Sequence, residues 1–455
     1  MNQLESLAAF VTQASFEDLS PQVLQSLKIH VLDSLGCAIG ALNGEPIAMI
    51  RTQIEDFGGN PLVTLIGGKK TAPDRAAFYN GALVRYLDYN DSFLAKKETC
   101  HPSDNLAPVL AACEYVNATG KEFLTALAVS YQVQCRLSEE APVRDKGFDH
   151  TTQGAYSVAA GVSKSLSLNK KQTAHAIAIA AVPNNALRVT RTGALSHWKG
   201  LAFPNTAFSA THAAFLALRG ITGPLEVFEG NKGFIETISG PFKIDWQKEK
   251  LDVIPRCILK KFNAEIHSQS AIEGILEIRA SFQLQAEDIE RIEVDIFDVA
   301  FHIIGGGKEG SKKEIRTKEE ADHSLPYMLA AAFLDGEVTP RQYVQDRILK
   351  EDIQNLLNKI FIRPNTEFSA RFPSEMDCHI QIFTRNGQII KKDKKDYEGF
   401  SSKPMSWNQT LVKFNDLSAP FASEQLRREI SDLVHTIDAQ KIASLTQVLG
   451  QVKKL

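Results

Sequence analysis

Between residues 19 and 219 the chain is a succession of apolar stretches with the period of a helix, parted by short turn signals. VLQSLKIHVLDSLGCAIGAL follows Ser20-Pro21, a serine suited to cap a helix and a proline suited to its first turn. Stretches of the same kind cover 45–56, 72–87, 106–117, 121–137, 152–166, 171–181 and 205–219. Ala118-Thr119-Gly120 and Gly220-Ile221-Thr222-Gly223-Pro224 separate some of them. Only LVTLIGG, after the turn FGGNP, reads as extended in this region. Such a pattern buries itself only by packing helix on helix. Its many alanines, with Gly36 and Gly40, let helix axes approach closely. The expectation is a nearly all-α domain over 1–256.

The pattern changes near residue 257. RIEVDIF (291–297) alternates and is rich in β-branched residues, as a strand is. CHIQIFTRNGQIIKKD (378–393) places two extended runs around Asn386-Gly387, the signature of a hairpin, and FIRP (361–364) adds a further strand piece. Residues 320–336 and 341–360 read as helices between them. The stretch 257–402 is therefore expected to be a smaller α+β domain. From 403 the chain is helical again and closes with SEQLRREISDLVHTIDAQKIASLTQVLG, which is expected to rejoin the first domain. The fold class is mainly α: a large all-helical domain built from both chain ends, with an inserted α+β lid. A chain of 455 residues exceeds one ordinary core, which agrees with two domains.

Several function classes fall away. A net charge of −3 gives no global attraction to nucleic acid or to an anionic membrane. An anionic substrate would have to meet a local cluster of Lys and Arg. No run approaches the roughly 18 apolar residues that span a bilayer, and the N-terminus lacks a basic segment followed by an apolar one. The cysteines at 37, 100, 113, 135, 257 and 378 form no CxxC or Cys/His ligand pair and suit a reducing cytoplasm. No HExxH, His-x-His, GxGxxG after a strand or GxxxxGK[ST] is present, so neither a metal nor a nucleotide cofactor is expected. Gly305-Gly306-Gly307 lacks the helix start that a phosphate loop needs. Lys391, Lys392, Lys394 and Lys395 read as a solvated strand end.

Polar, histidine-bearing loops repeatedly interrupt the apolar helices. The first, DYNDSFLAKKETCHPSDN (88–105), carries Asp88, Asp91, Ser92 and His101. Capping alone could explain Asp88, Asp91, Ser103 and Asp104, with Pro102 fixing the turn. Cys100 beside His101 is the less favoured nucleophile reading. The others are GFDHTTQGAY (147–156) with His150, NNALRVTRTGALSHWKG (184–200) with Arg188, Arg191, His197 and Lys199, LKKFNAEIHSQSA (259–271) with Lys260, Lys261 and His267, and ADHSLPY (321–327) with His323 and Tyr327. Taken singly, Asp149 and the threonines could cap a helix, the arginines could be solvated, and Tyr327 could be a core aromatic. Taken together they fit cofactor-free acid/base chemistry on a carboxylate substrate: cations bind carboxylates, and His and Asp move protons.

LDYNDSFLAKKETCHPSDN, GFDHTT, ALSHWKG, GPLEVFEGNKGF, AEIHSQSAIE and ADHSLPYML, in this order, resemble the MmgE/PrpD family, most closely between about residues 20 and 340. That family includes 2-methylcitrate dehydratases, cis-aconitate decarboxylases and iminodisuccinate epimerases. The resemblance implies a helical domain with an α+β lid, a homodimer, and lyase chemistry without a metal. The long segment before HPSDN and the intact SHWKG resemble the dehydratases, which implies a tricarboxylate substrate such as 2-methylcitrate and a place in propionate catabolism. It also implies site residues: Asp88, His101, His150, Lys199, Lys260 and Tyr327 as the catalytic set, with Ser92, where many relatives have Thr, keeping the hydroxyl. Arg188, Arg191 and Lys261 are further candidates for binding substrate, Lys261 exchanging with Lys260 if the alignment slips by one. The two histidines and Asp88 share the acid and base roles without an assignment between them.

Overall fold

The computed structural model describes residues 2–193 and 195–453. Ala194, within the ALSHWKG motif, lies outside the described residues. Helix accounts for 57% of the structure and strand for 9%, so the protein is mainly α. The Cα trace forms two compact units. The first comprises Met1–Arg188, Gly200–Ile258 and Ser406–Leu455; the second comprises Val189–Lys199 and Leu259–Met405. No helix among the described residues is long and apolar enough to cross a membrane.

In the first unit the helices begin where the capping chemistry puts them. Ser20 accepts a hydrogen bond from the Val23 amide and Pro21 opens the helix Pro21–Gly40. Thr119 and Glu122 form a reciprocal capping box at the head of Gly120–Glu140, as do Asn169 and Gln172 before Lys170–Ala181. Pro21–Gly40 receives the helix Trp407–Ser418, from the C-terminal part of the chain, against its glycines. A Cβ on Gly36 would stand 3.1 Å from the Phe414 Cα, and one on Gly40 would stand 3.2 Å from the Leu417 Cβ. The close approach expected of these two glycines therefore has an identified partner, and it comes from the far end of the chain. GPLEVFEGNKGF also proves to be packing: Phe228 and Phe234 stand against Tyr156 with ring centroids 4.9 and 5.2 Å apart.

In the first unit the helical reading needs correction at two places. The helix expected over 205–219 begins earlier, at Trp198, with Pro204 inside it. A proline ring clashes with the carbonyl four residues back, and here that residue is Gly200, whose missing side chain leaves the backbone room to adjust. The N-terminal segment Gln3–Gln13 is a helix that the periodicity reading passed over, with Leu4, Leu7 and Val11 fully buried.

The second unit holds a four-stranded sheet. Ile289–Ile296 runs parallel to Ile360–Pro364 and antiparallel to Cys378–Thr384, which pairs antiparallel with Ile389–Lys394. The alternating burial along Cys378–Thr384 is that of a strand with one covered face. The expected hairpin turns at Gly387, whose φ of 86° suits a residue without Cβ. The helix Gln269–Ser281 lies on this sheet, and a Cβ on Gly274 would meet the Ile380 side chain at 2.7 Å. Lys392 and Lys394 reach back to Glu277, and Lys394 also to Glu273, so the basic run is ion-paired.

The helix expected over 341–360 is instead broken into Pro340–Tyr343, Gln345–Ile348 and Glu351–Asn358 before the strand begins at Ile360. That expected over 320–336 is split into Lys318–Ala321 and Leu325–Asp335, because Ser324 leaves helical geometry to cap the second piece through the Tyr327 amide. The interruption carries Asp322 and His323. Val189–Lys199 also belongs to this second unit, whereas the sequence division put it in the helical domain. Its polar groups find their partners here: Arg191 Nη1 donates to the Lys199 carbonyl at 2.7 Å and Lys199 Nζ to Asp322 Oδ1 at 2.7 Å.

Candidate active site

The loop after the helix Pro73–Tyr86 is built around two carboxylates. Asp88 has a φ of 55°, in the left-handed region that Asp tolerates better than most residues. Its Oδ1 accepts a hydrogen bond from Arg85 Nη1 at 2.6 Å, and both side chains are buried. Asp91 is fully buried and fully used. Oδ1 accepts from the Ser103 amide at 2.9 Å; Oδ2 accepts from the Tyr131 hydroxyl at 2.8 Å and lies 2.8 Å from His30 Nδ1. Burial alone would raise its pKa. The bonds from His30 and Ser103 outweigh that and hold the carboxyl below the usual range. Asn90 fastens the end of the loop by donating to Ser103 Oγ at 2.9 Å and Asp104 Oδ1 at 3.0 Å. Ser92 joins Ile258 through a backbone bridge.

His101 stands inside this frame. Its Nδ1 is 2.7 Å from the Asp91 carbonyl and 3.1 Å from Ser92 Oγ, and its Nε2 is 3.2 Å from Arg85 Nη2. Its ring faces that of His150 edge-on, centroids 5.4 Å apart. His150 occupies the N-cap position of the helix Thr151–Ser165. Its Nδ1 lies 2.9 Å from Asp149 Oδ1, which also accepts from the Thr151 amide at 3.1 Å. Asp149 thus serves both readings, capping the turn and orienting an imidazole by its Nδ1. In the first unit, the structure therefore brings Asp88, Ser92, His101 and His150 together around Arg85 and Asp91.

In the second unit Lys199, Lys260, Glu265, His267, Asp322 and His323 form a buried charged cluster. Asp322 Oδ1 accepts from Lys199 at 2.7 Å and lies 2.7 Å from His323 Nδ1, while Oδ2 accepts from Lys318 at 2.9 Å. Burial works against the Asp322 carboxylate; the charges of Lys199 and Lys318 and the His323 contact overcome it and keep the acid far below its ordinary range. Glu265 caps its turn through the His267 amide and lies 2.7 Å from His267 Nδ1. Burial is again opposed, here by His267 and by the nearby charges of His323 and Lys260, and the carboxyl falls to about 2. Lys260 is fully buried, whereas Lys261 is partly exposed and ion-paired with Glu273 and Glu398 at 3.0 Å each. This separates the two lysines that the sequence left interchangeable.

Other candidates have different surroundings. Tyr327 is buried, and its hydroxyl donates to the Gln342 carbonyl. Arg188 lies in the first unit, half-buried, with its amide donating to the Gly147 carbonyl, while Arg191 is buried in the second. Cys100 is buried among thiols, near Cys135, which in turn lies 3.9 Å from Cys257. Sequence reasoning passed over Arg85, Asp149 and Asp322 as site groups. The signal was present in each case, since each is adjacent to, or three residues from, a residue already singled out.

Two family descriptions match the chain: the MmgE/PrpD N-terminal domain over residues 5–247 and the MmgE/PrpD C-terminal domain over residues 262–439. The chain belongs to the MmgE/PrpD family. Among relatives in the family, a probable 2-methylcitrate dehydratase of Saccharomyces cerevisiae is 28% identical over 81% of this chain and 75% of its own length. A 2-methylcitrate dehydratase of Escherichia coli is 27% identical over 75% of this chain and 74% of its own. A cis-aconitate decarboxylase of Mus musculus is 25% identical over 98% of this chain and 93% of its own. Of the MmgE/PrpD-like motifs, all but GPLEVFEGNKGF carry residues of the buried polar clusters described above.

Proposed function

We propose that this MmgE/PrpD chain is a cofactor-independent hydro-lyase that removes water from 2-methylcitrate to give 2-methyl-cis-aconitate. The observation that carries the chemistry is the Asp149–His150 pair beside His101. Elimination removes a weakly acidic proton next to a carboxylate and expels hydroxide; the proton taken by the base is delivered to that hydroxide, so water departs and the base is regenerated. A base for that proton should be an imidazole made more basic by a carboxylate at its other nitrogen, as in Asp149–His150. Asp88, Ser92 and His101 line the same wall and orient the leaving hydroxyl. The resemblance to the family assigns Lys199 and Lys260 to offsetting negative charge that develops on the substrate carboxylate. The names of the yeast and bacterial relatives support the dehydratase reading.

A second reading, decarboxylation of cis-aconitate, is favoured by the mouse relative, whose match covers nearly the whole chain. Incubation with 2-methylcitrate, citrate and cis-aconitate separates the two. Absorbance of an unsaturated product from 2-methylcitrate is the expected result. Release of CO₂ from cis-aconitate alone replaces the dehydratase reading with the decarboxylase. No turnover on any of them points to the epimerase or to a carboxylate-binding protein without catalysis. Retention of full dehydratase activity by both His150→Ala and Lys199→Ala would refute the site. Sedimentation of the purified chain tests the homodimer that we propose with this reading.

A further inference from the structure

We propose that Arg85 is a positioning residue that fixes His101 as the neutral Nδ1–H tautomer while pairing with Asp88. The proposal rests on the reading of His101 and Asp88 as parts of the reaction site. A guanidinium has five N–H donors and no acceptor. Arg85 Nη2 lies 3.2 Å from His101 Nε2, so that nitrogen must present its lone pair. His101 Nδ1 lies 2.7 Å from the Asp91 carbonyl, which only accepts, so Nδ1 must carry the proton. Ser92 Oγ, 3.1 Å from Nδ1, is then a second acceptor of the same N–H. One tautomer satisfies all three contacts. An imidazolium would aim an N–H at the guanidinium.

The same guanidinium donates through Nη1 to Asp88 at 2.6 Å, and its Nε is 3.9 Å from Asp104. These two acids would suffice to neutralise a buried arginine. The contact with Nε2 is additional, and its effect falls on His101. Other titratable groups of this unit near the ring include His150, whose ring meets it edge-on and whose Nδ1 lies beside Asp149, and Asp91, whose carbonyl faces Nδ1 while its carboxylate is held by His30. Arg85 reaches both its partners because its fork is planar and wide; a lysine ammonium is a single point and cannot reproduce both contacts. His101 is consequently no proton donor at rest. Its Nε2 lone pair is held by Arg85, whereas His150 is backed by Asp149 at Nδ1, and this distinguishes two histidines that the sequence left interchangeable.

The test uses the full chain labelled with 15N-histidine, without substrate, at neutral pH. His101 signals are identified by their loss in His101→Asn. The expected wild-type spectrum shows an unprotonated Nε2 and a protonated Nδ1. In Arg85→Gln the Nε2–H tautomer or the imidazolium becomes populated, and in Arg85→Lys the change is partial. With 2-methylcitrate, kcat falls about 100-fold in Arg85→Gln, with a much smaller change in KM. A wild-type His101 protonated at Nε2, or unchanged His101 signals in a folded Arg85→Gln, overturns the proposal. If Arg85→Gln does not fold, the wild-type spectrum and Arg85→Lys decide. A wild-type chain without dehydratase activity would refute the functional reading and leave the tautomer result standing.

Discussion

Lys413 Nζ lies 2.7 Å from Asp33 Oδ1 and 2.8 Å from the Tyr89 carbonyl. One buried ammonium on the helix Trp407–Ser418 thereby ties the helix Pro21–Gly40 to the loop that bears Asp88. Asp33 is itself fully buried, which raises its pKa, and Lys413 is the leading influence that opposes this. Lys413→Met leaves that carboxylate without its cation and is expected to cost about 3–5 kcal/mol, read from urea unfolding. Lys413→Met with Asp33→Asn should recover much of the loss. Equal stability of the single and double variants would show that the pair is not the cause.

Asp149→Asn keeps a cap at the helix start but replaces the carboxylate facing His150 Nδ1 with a neutral amide. A drop of about 10²–10⁴-fold in kcat is expected, with KM changed far less. Steady-state assays on 2-methylcitrate, alongside a melting curve to exclude unfolding, check it.

Tyr327→Phe distinguishes a reacting hydroxyl from a packing one. Because the hydroxyl donates to the Gln342 carbonyl in the core of the second unit, the variant should lose about 1–2 kcal/mol of stability and retain kcat within tenfold. A thousandfold loss of kcat at unchanged stability would return Tyr327 to the reaction itself.

Glu265 gives the second unit an acid-sensitive element. Its folded pKa, about 2, is below the ordinary 4.5, so the stability it contributes is present above 4.5 and is lost as the pH falls towards 2. Glu265→Gln should therefore be less stable than wild type at pH 7, on the order of 3 kcal/mol, and the gap should narrow steadily below pH 4.5. Denaturant midpoints measured across that range are the check, and a gap independent of pH would contradict it.

The helices of the first unit were legible because their caps and apolar periods are local, and Gly36 and Gly40 announced a close neighbour without naming it. The partner, Phe414 and Leu417, could not be read from a pattern that ends hundreds of residues earlier. The Asn-Gly hairpin was legible for the same local reason. The broken helices near 322 and 341 were not, since Ser324 and the short capped turns override a tolerable helical period. In the site, histidines and lysines stood out as residue types. The groups that give them their state, Arg85, Asp149 and Asp322, did not stand out by residue type, because a buried arginine or aspartate looks in sequence like any surface charge; only their nearness to a residue already singled out points to them.

The backbone at residue 88 restricts how the proposed activity could be lost. With φ at 55°, the position favours glycine, asparagine and aspartate over other side chains. Asparagine would preserve the loop and accept from Arg85 through its amide oxygen, while removing the negative charge. The least disruptive route away from the acid is therefore also one that silences it. At this one position the conformation of the loop and its charge can therefore be separated by a single nitrogen-for-oxygen replacement.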